Sequence, residues 1–358
     1  MEVKIHVIKM TFTSEKLDSI ALHFILCTER TGSSLLSLML NLSNHILSPS
    51  EEPFALYFYK KYRNKEHWTE KEIDLYVDEF YALAEKNTDL YFSDRKVFTE
   101  NLKQHINLLN WSRLIKLTYL HFIDTKEKST IEVIIDKQIK YFFHLKKIQE
   151  IFPNARFIVL VRDVRDNIVS KRNRKLNWNQ HPLFLTALWR DTYRCVSQLP
   201  ANSYITIRYE DLMEKTKETM LKICEWVNVN FEDEMLNTEG KYLDFIHQKK
   251  NQVNPEFINH LMKFHSGLSQ PSSTKQIGQY KDALSKKEID RIEQISSNEL
   301  SIFGYTLNQP TQKTPSISSF YFIFLAKVYR RWLLSFYFKI PLHLKLKIKK
   351  FRKKKYSV

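Results

Sequence analysis

The stretch Arg30-Thr31-Gly32-Ser33-Ser34 sets a guanidinium, a glycine and three hydroxyls within five residues, a combination suited to holding an anion. An apolar run from Ile20 to Cys27, interrupted only by His23, precedes it and has the length of a buried parallel strand. Leu35, Leu36, Met39 and Leu40 follow at helical spacing. The order is strand, tight turn, helix. Gly32 permits the turn, the N–H groups opening the helix form a nest for negative charge, and Arg30 with the Thr31, Ser33 and Ser34 hydroxyls adds charge and donors. The expected ligand is a phosphate. A nucleoside triphosphatase carries lysine after this glycine to hold the terminal phosphates, whereas Gly-Ser-Ser stands here, so ATP is disfavoured as donor.

Other groups with chemical capacity sit at similar places. Ile131 to Ile135 is short and β-branched, and it ends at Asp136-Lys137. A lysine at the carboxyl end of a parallel strand faces the ligand crevice of an open α/β sheet. Arg156 to Val161 is the clearest buried strand, and it runs into Arg162-Asp-Val-Arg-Asp-Asn-Ile-Val-Ser170-Lys171, a second strand, polar elbow and helix. Adjacent carboxylates, Glu51 and Glu52, lie in the turn-rich loop His45 to Phe54. His181, before Pro182, falls in a connection with the character of a lid.

The elements that must position these groups alternate. Strands at Ile20–Cys27, Ile131–Ile135, Arg156–Val161 and Tyr204–Arg208, separated by helical segments, imply parallel crossovers and a three-layer α/β sandwich around a central parallel sheet. Tyr141–Phe152, Thr216–Val227 and Ser285–Ile302 read as helices, with a short one at Pro255–Phe264. Residues 54–127, rich in Tyr, Phe, Trp, Lys and Glu, read as a helical insertion that either roofs the site or forms a structural layer. The domain is expected to span 1–308, with a Pro/Ser/Thr-rich linker at 309–319 and a basic, aromatic tail at 320–358.

Composition agrees with a large globular domain: 358 residues with 43% hydrophobic content can fill a core. Cys27, Cys195 and Cys224 are far apart in apolar surroundings, which predicts buried reduced thiols and a cytoplasmic setting. Of the net charge of +16, twelve Lys or Arg fall after Ser316 with no Asp or Glu among them. No stretch reaches the length of a membrane-spanning helix. In the tail, Lys327, Arg330, Arg331, Ser335 and Lys339 share a helical face, with Phe324, Val328, Trp332, Leu333, Phe336 and Tyr337 around the rest. With the polybasic run Lys345–Lys355 this predicts a helix peripheral on the anionic inner face of a membrane. Packing of the aromatic face on the domain is the competing expectation, and nothing in the chain reads nucleic-acid bases.

Four separated pieces, ERTGSSLL, the Glu51-Glu52 loop, FIVLVRDVRDNIVSK and IRYEDL, resemble in that order the sulfotransferases that use 3′-phosphoadenosine 5′-phosphosulfate (PAPS). The resemblance implies a P-loop-like fold, PAPS as co-substrate and no metal. It assigns Arg30, Thr31, Gly32, Ser33 and Ser34 to the 5′-phosphosulfate and Arg162 with Ser170 to the 3′-phosphate. It also likens Ser273, with Lys281 following, to a late donor-phosphate contact, Lys137 to a strand-end lysine, and Glu52, or Glu51 in its place, to the general base. Glu29 departs from the pattern, standing where the family often has proline. The closer branch is that of carbohydrate and protein sulfotransferases, so a glycan or glycolipid hydroxyl is the expected acceptor. The rival expectations are a non-catalytic basic protein binding membrane or nucleic acid, and a nucleotide kinase.

Overall fold

Strands that bury both faces carry apolar residues at successive positions, and alternate side chains must then serve different cores. In β1 (Ala21–Cys27), Leu22, Phe24 and Leu26 join one core while Ile25 and Cys27 join the other. β4 (Phe157–Val161) does the same, with Phe157, Val159 and Val161 on the first face and Ile158 and Leu160 on the second. The computed structural model describes residues 11–49, 54–83, 92–122, 126–174, 179–241, 274–308, 316–330, 340–341 and 343–345.

Among these, β2 (Ile46–Leu47), β3 (Val133–Lys137) and β5 (Tyr204–Arg208) complete a five-stranded parallel sheet in the order β2-β3-β1-β4-β5. Phe24 lies opposite Phe157, their rings stacked at 5.8 Å, and Ile25 lies opposite Lys137. β2 is a short edge strand inside the segment expected to be a loop. The chain crosses β1 between β3 and β4, so the carboxyl ends of these strands border the switch point where open α/β sheets bind ligands.

The helices in chain order are α1 (Ser14–Ser19), α2 (Ser33–Asn41), α3 (Phe54–Tyr62), α4 (Glu70–Leu83), α5 (Arg95–Gln104), α6 (Trp111–Leu120), α7 (Leu145–Ile151) and α8 (Val164–Arg174). They continue with α9 (Pro182–Tyr193), α10 (Tyr209–Glu214), α11 (Thr216–Val227), α12 (Tyr280–Ala283), α13 (Lys286–Ile302) and α14 (Ile317–Val328). Local signals place their ends. Ser285 and Glu288 form a reciprocal capping box at α13, and Asn228 in the left-handed conformation stops α11. The helix expected over Tyr141–Phe152 is instead a 3-10 turn, Ile139–Phe143, followed by the shorter α7. Helices α2 and α11 cover one face of the sheet through Leu36, Met39, Leu40, Met220, Ile223 and Val227. The three cysteines are buried.

Helices α3 to α6 form a layer whose rings pack on one another. Tyr76, Phe58, Phe80 and Trp111 are at most 2% exposed, and Tyr76 Oη shares a hydrogen bond with Thr118 Oγ1. These rings are core rather than the lining of an open site. α14 begins at Ile317, within the span expected to be linker. Residues 309–315, the segment 255–264 and most of the tail beyond Arg330 lie outside the described residues.

A buried ion network joins α8 to α13. Arg165 places a fork on Asp163, Nε to Oδ1 at 2.9 Å and Nη2 to Oδ2 at 2.6 Å, while Nη1 donates to Glu293 Oε1 at 2.5 Å. All three side chains are nearly sealed from water. Arg165→Met strands two buried carboxylates and is expected to cost about 3–5 kcal/mol in urea unfolding. An unchanged urea midpoint would show that this network does not hold the two helices.

Candidate active site

The first loop leaves β1 at Cys27 and must reverse within a few residues to start α2. Arg30 takes φ 65° and Gly32 φ 81°, so two left-handed residues curl the main chain into a nest at the helix start. For Arg30 this is a strained conformation, the kind retained where surrounding contacts over-determine it. For Gly32 it is obligatory on a second count. A Cβ there would lie 2.6 Å from Tyr209 Cδ2, so the ring of Tyr209, at the end of β5, packs directly beneath the loop. Thr31 turns its hydroxyl inward, donating to the Thr28 carbonyl at 2.8 Å, and is fully buried. Its side chain closes the turn; Ser33 and Ser34 head the helix.

The second loop leaves β4 next door and is stitched to the first. Arg162 Nη1 donates to the Arg30 carbonyl at 3.1 Å and Nη2 to the Gln276 carbonyl at 2.6 Å. Arg30 Nε donates to Ser170 Oγ at 3.0 Å, and Asn167 Nδ2 donates to the Glu29 carbonyl at 2.8 Å. Lys137, at the carboxyl end of β3, brings Nζ to 3.5 Å from Ser34 Oγ. Arg30, Gly32, Ser34, Lys137, Arg162 and Ser170, read from distant parts of the chain, therefore meet at the carboxyl ends of three adjacent strands.

The electrostatics follow from that crowding. Burial first, then the like charges of Arg174 and Arg162, pull the Arg30 pKa below its ordinary value. Arg162 is 2% exposed, and its Nε is buried with no hydrogen-bond partner. Such a donor is costly to leave unmade, and its guanidinium suits phosphate oxygens. Arg162 also lies 4.4 Å over the Tyr209 ring, which steadies its plane. Burial raises the Tyr209 pKa and keeps the phenol protonated. Glu29, the departure beside the cradle, turns its carboxylate to Lys171 Nζ at 3.2 Å.

The remaining acidic residues of the second elbow are structural. Asp163 is held in the fork of Arg165, and Asp166 accepts N–H groups from Gly278 at 2.7 Å and Tyr280 at 2.9 Å. Asp166 thereby anchors the segment whose Gln276 carbonyl meets Arg162. Lys281 sits exposed on α12, one turn further on, and Ser273, Glu51 and Glu52 lie outside the described residues. His181 caps α9, accepting from Leu183 N at 3.3 Å, and stacks on Phe322 at 3.8 Å. That is a structural use rather than a place in a lid.

Sequence reading quoted Tyr209 and Glu210 within IRYEDL but gave neither a role. Glu210 accepts the Asp163 N–H at 3.1 Å and the Tyr305 hydroxyl at 2.7 Å, clamping the main chain just after Arg162. Their position directly after β5, beside the same crevice, is the signal that could have found them. Asp136, beside Lys137, is another buried carboxylate, accepting from Tyr119 Oη and from Gln138 Nε2.

A sequence profile of the sulfotransferase family matches residues 23–233, more than half of the chain. A Caenorhabditis elegans protein assigned by name to the protein-tyrosine sulfotransferases is 25% identical over 194 residues, 49% of this chain and 68% of its own length. Among solved structures, the sulfotransferase domain of the Synechococcus PCC 7002 olefin synthase is similar at 17% identity and TM-score 0.48, over 86% of this chain and 94% of that one. A sulfotransferase from Mycobacterium avium is similar at 14% identity and TM-score 0.39, covering 83% of this chain and 80% of that chain.

The packing of Gly32 on Tyr209 has a testable consequence. Gly32→Ala is expected to lower stability by about 1–3 kcal/mol in thermal unfolding, because positive φ and the ring contact both oppose a methyl group. Adding Tyr209→Ala should recover the steric share and leave the backbone share, and strictly additive losses would refute the contact.

Proposed function

The chain belongs to the sulfotransferase family, and from that premise we propose that it transfers a sulfuryl group from PAPS to the hydroxyl of a glycan or glycolipid acceptor. One observation supports this reading above the rest. Arg162 donates to the main chain of the first loop while Arg30 donates to Ser170 of the second, so the two loops that this reading assigns to phosphate share a border. The residues suit such a donor: an unpartnered buried Arg162 Nε, a glycine where a side chain would collide, and three cations at one strand edge.

When bound, the donor supplies an activated sulfuryl group and departs as adenosine 3′,5′-bisphosphate. In this reading Arg162 and Ser170 hold the 3′-phosphate, and the α2 amides with Ser33 and Ser34 hold the 5′ end. Lys137 and Arg30 lie where charge would build on the sulfuryl and bridging oxygens. Fixed cations of this kind stabilise the transition state without reorganising, so positioning and charge compensation carry the rate. Glu52, with Glu51 as its substitute, takes the acceptor's proton; its support is the sequence, where Pro-Ser-Glu-Glu-Pro follows α2. Asp136 is the poorer candidate for that role, being fully buried between the Tyr119 hydroxyl and the Gln138 amide. A tyrosyl hydroxyl is the second reading of the acceptor, favoured by the name of the Caenorhabditis elegans relative.

Radiolabelled PAPS offered with glycans, glycolipids and tyrosine peptides tests the reaction and sorts the acceptors; label transferred to none of them would defeat it. In calorimetry, Arg162→Ala is expected to weaken adenosine 3′,5′-bisphosphate binding about 10- to 100-fold. Unchanged affinity would remove Arg162 from the donor site. Glu52→Gln is expected to keep that affinity and lose about 10²–10⁴-fold in turnover, and full activity would exclude it as the base.

A further inference from the structure

Helix α14 is apolar on two sides. Ser319 and Ala326 are fully buried, and Phe322, Ile323, Leu325 and Tyr329 pack on the domain, Phe322 against His181 and Tyr329 edge-on to Phe184. Arg330, expected on the basic face of an interfacial helix, turns inward. It donates to the Asp191 carbonyl and Cys195 Sγ and lies over the Phe143 ring. The opposite side carries Ile317, Phe320, Tyr321 and Phe324 at helical spacing, and these are 90, 57, 59 and 66% exposed. The other exposed large apolar residues among those described, Leu75, Leu221, Ile302 and Leu344, belong to other elements. Four on one face need an explanation.

The rim of this face is cationic. Lys327 follows Phe324 by one turn and is exposed. An open cleft between α13 and the start of α14 is lined by Lys286, Lys287, Asp290, Arg291, Ser316 and Ser318, three cations against one carboxylate. Arg291 donates to Ser316 Oγ and Ser318 Oγ, tying the helix start to α13, while Lys286 and Lys287 stay exposed. Among the described residues no helix is long and apolar enough to cross a bilayer.

We propose that this face of α14 lies in the surface of an anionic bilayer, such as a cytoplasmic leaflet. Ile317, Phe320, Tyr321 and Phe324 enter the boundary between headgroups and acyl chains, and Lys286, Lys287 and Lys327 take the lipid phosphates. Charge selects this occupant over a second copy of the chain, because a self-complementary contact through this face would oppose its cations to their own images. The inference concerns docking and does not rest on the donor assignment.

Flotation of the full-length protein with phosphatidylcholine vesicles, with and without phosphatidylserine, tests it. Binding is expected only with phosphatidylserine. The pair Phe320→Glu and Phe324→Glu should lower it by about tenfold or more, and Lys286→Glu with Lys287→Glu should lower it and flatten its salt dependence. These side chains are exposed, so the melting temperature of each variant should match that of the parent. As a second measurement, Phe324→Cys carrying an environment-sensitive fluorophore should shift to the blue on adding phosphatidylserine vesicles. Equal flotation of parent and phenylalanine variant would assign binding to the polybasic end and overturn the proposal. Self-association abolished by the phenylalanine substitutions, without vesicle binding, would make this face a contact between copies and also overturn it.

Discussion

Two guanidinium groups, Arg30 and Arg162, are held side by side with neutral oxygens as their hydrogen-bond acceptors, and the surrounding structure is arranged to permit it. Burial first, then the like charges of Arg174 and Arg162, push the Arg30 pKa down. Pairing them with carboxylates would quiet the repulsion and also spend the charge that an anionic ligand needs. The acidic side chains of the second elbow are therefore committed elsewhere: Asp163 to Arg165, Asp166 to the N–H groups of Gly278 and Tyr280. Glu29, in the first loop, is matched by Lys171. None of these three carboxylates forks onto Arg30 or Arg162, although the charge of Asp166 is still felt by Arg162, so both guanidinium groups keep neutral oxygens as their hydrogen-bond acceptors.

That arrangement depends on the parallel sheet. Strands running the same way deliver Lys137, Arg30, Arg162 and Tyr209 to one edge without any of them having to reach, and the register of β1 against β3 and β4 sets their spacing. Side chains on a sheet edge keep their positions better than side chains on a free loop. The strained Arg30 conformation persists because four contacts between the two loops, and the Tyr209 ring below, leave it little alternative.

Much of this was legible from residue types alone because the relevant signals are local. An apolar run breaking into Gly-Ser-Ser before a helical pattern is a strand, turn and helix in almost any context, and β5 and α11 begin and end where their periodicity says. Long-range events were not legible. Residue type alone does not distinguish Arg162 from Arg165, two arginines in one elbow; the fork of Arg165 on Asp163 and its contact with the buried Glu293, far along the chain, make the second a structural cation. Aromatic content could not say whether α3 to α6 present their rings outward or to one another, since both arrangements have the same helical spacing. Arg330 looked like part of a basic stripe because periodicity places it on a face without saying what covers that face.

Helix α9 connects the cationic crevice to α14. Its Trp189 donates from Nε1 to the Arg162 carbonyl at 3.2 Å, and two residues later the Asp191 carbonyl accepts from Arg330. One helix thus touches both the Arg162 elbow and the segment that carries α14. Docking of α14 along α9, through Phe322 on His181 and Tyr329 on Phe184, makes its orientation a property of the domain rather than of a linker. A surface that accepts the exposed face of α14 would therefore hold the cationic crevice at a set angle, and an acceptor embedded in that surface would meet it from a constant direction. A tail attached only by its polybasic end would share the attraction to anionic lipid but impose no such angle, because charge attracts without orienting.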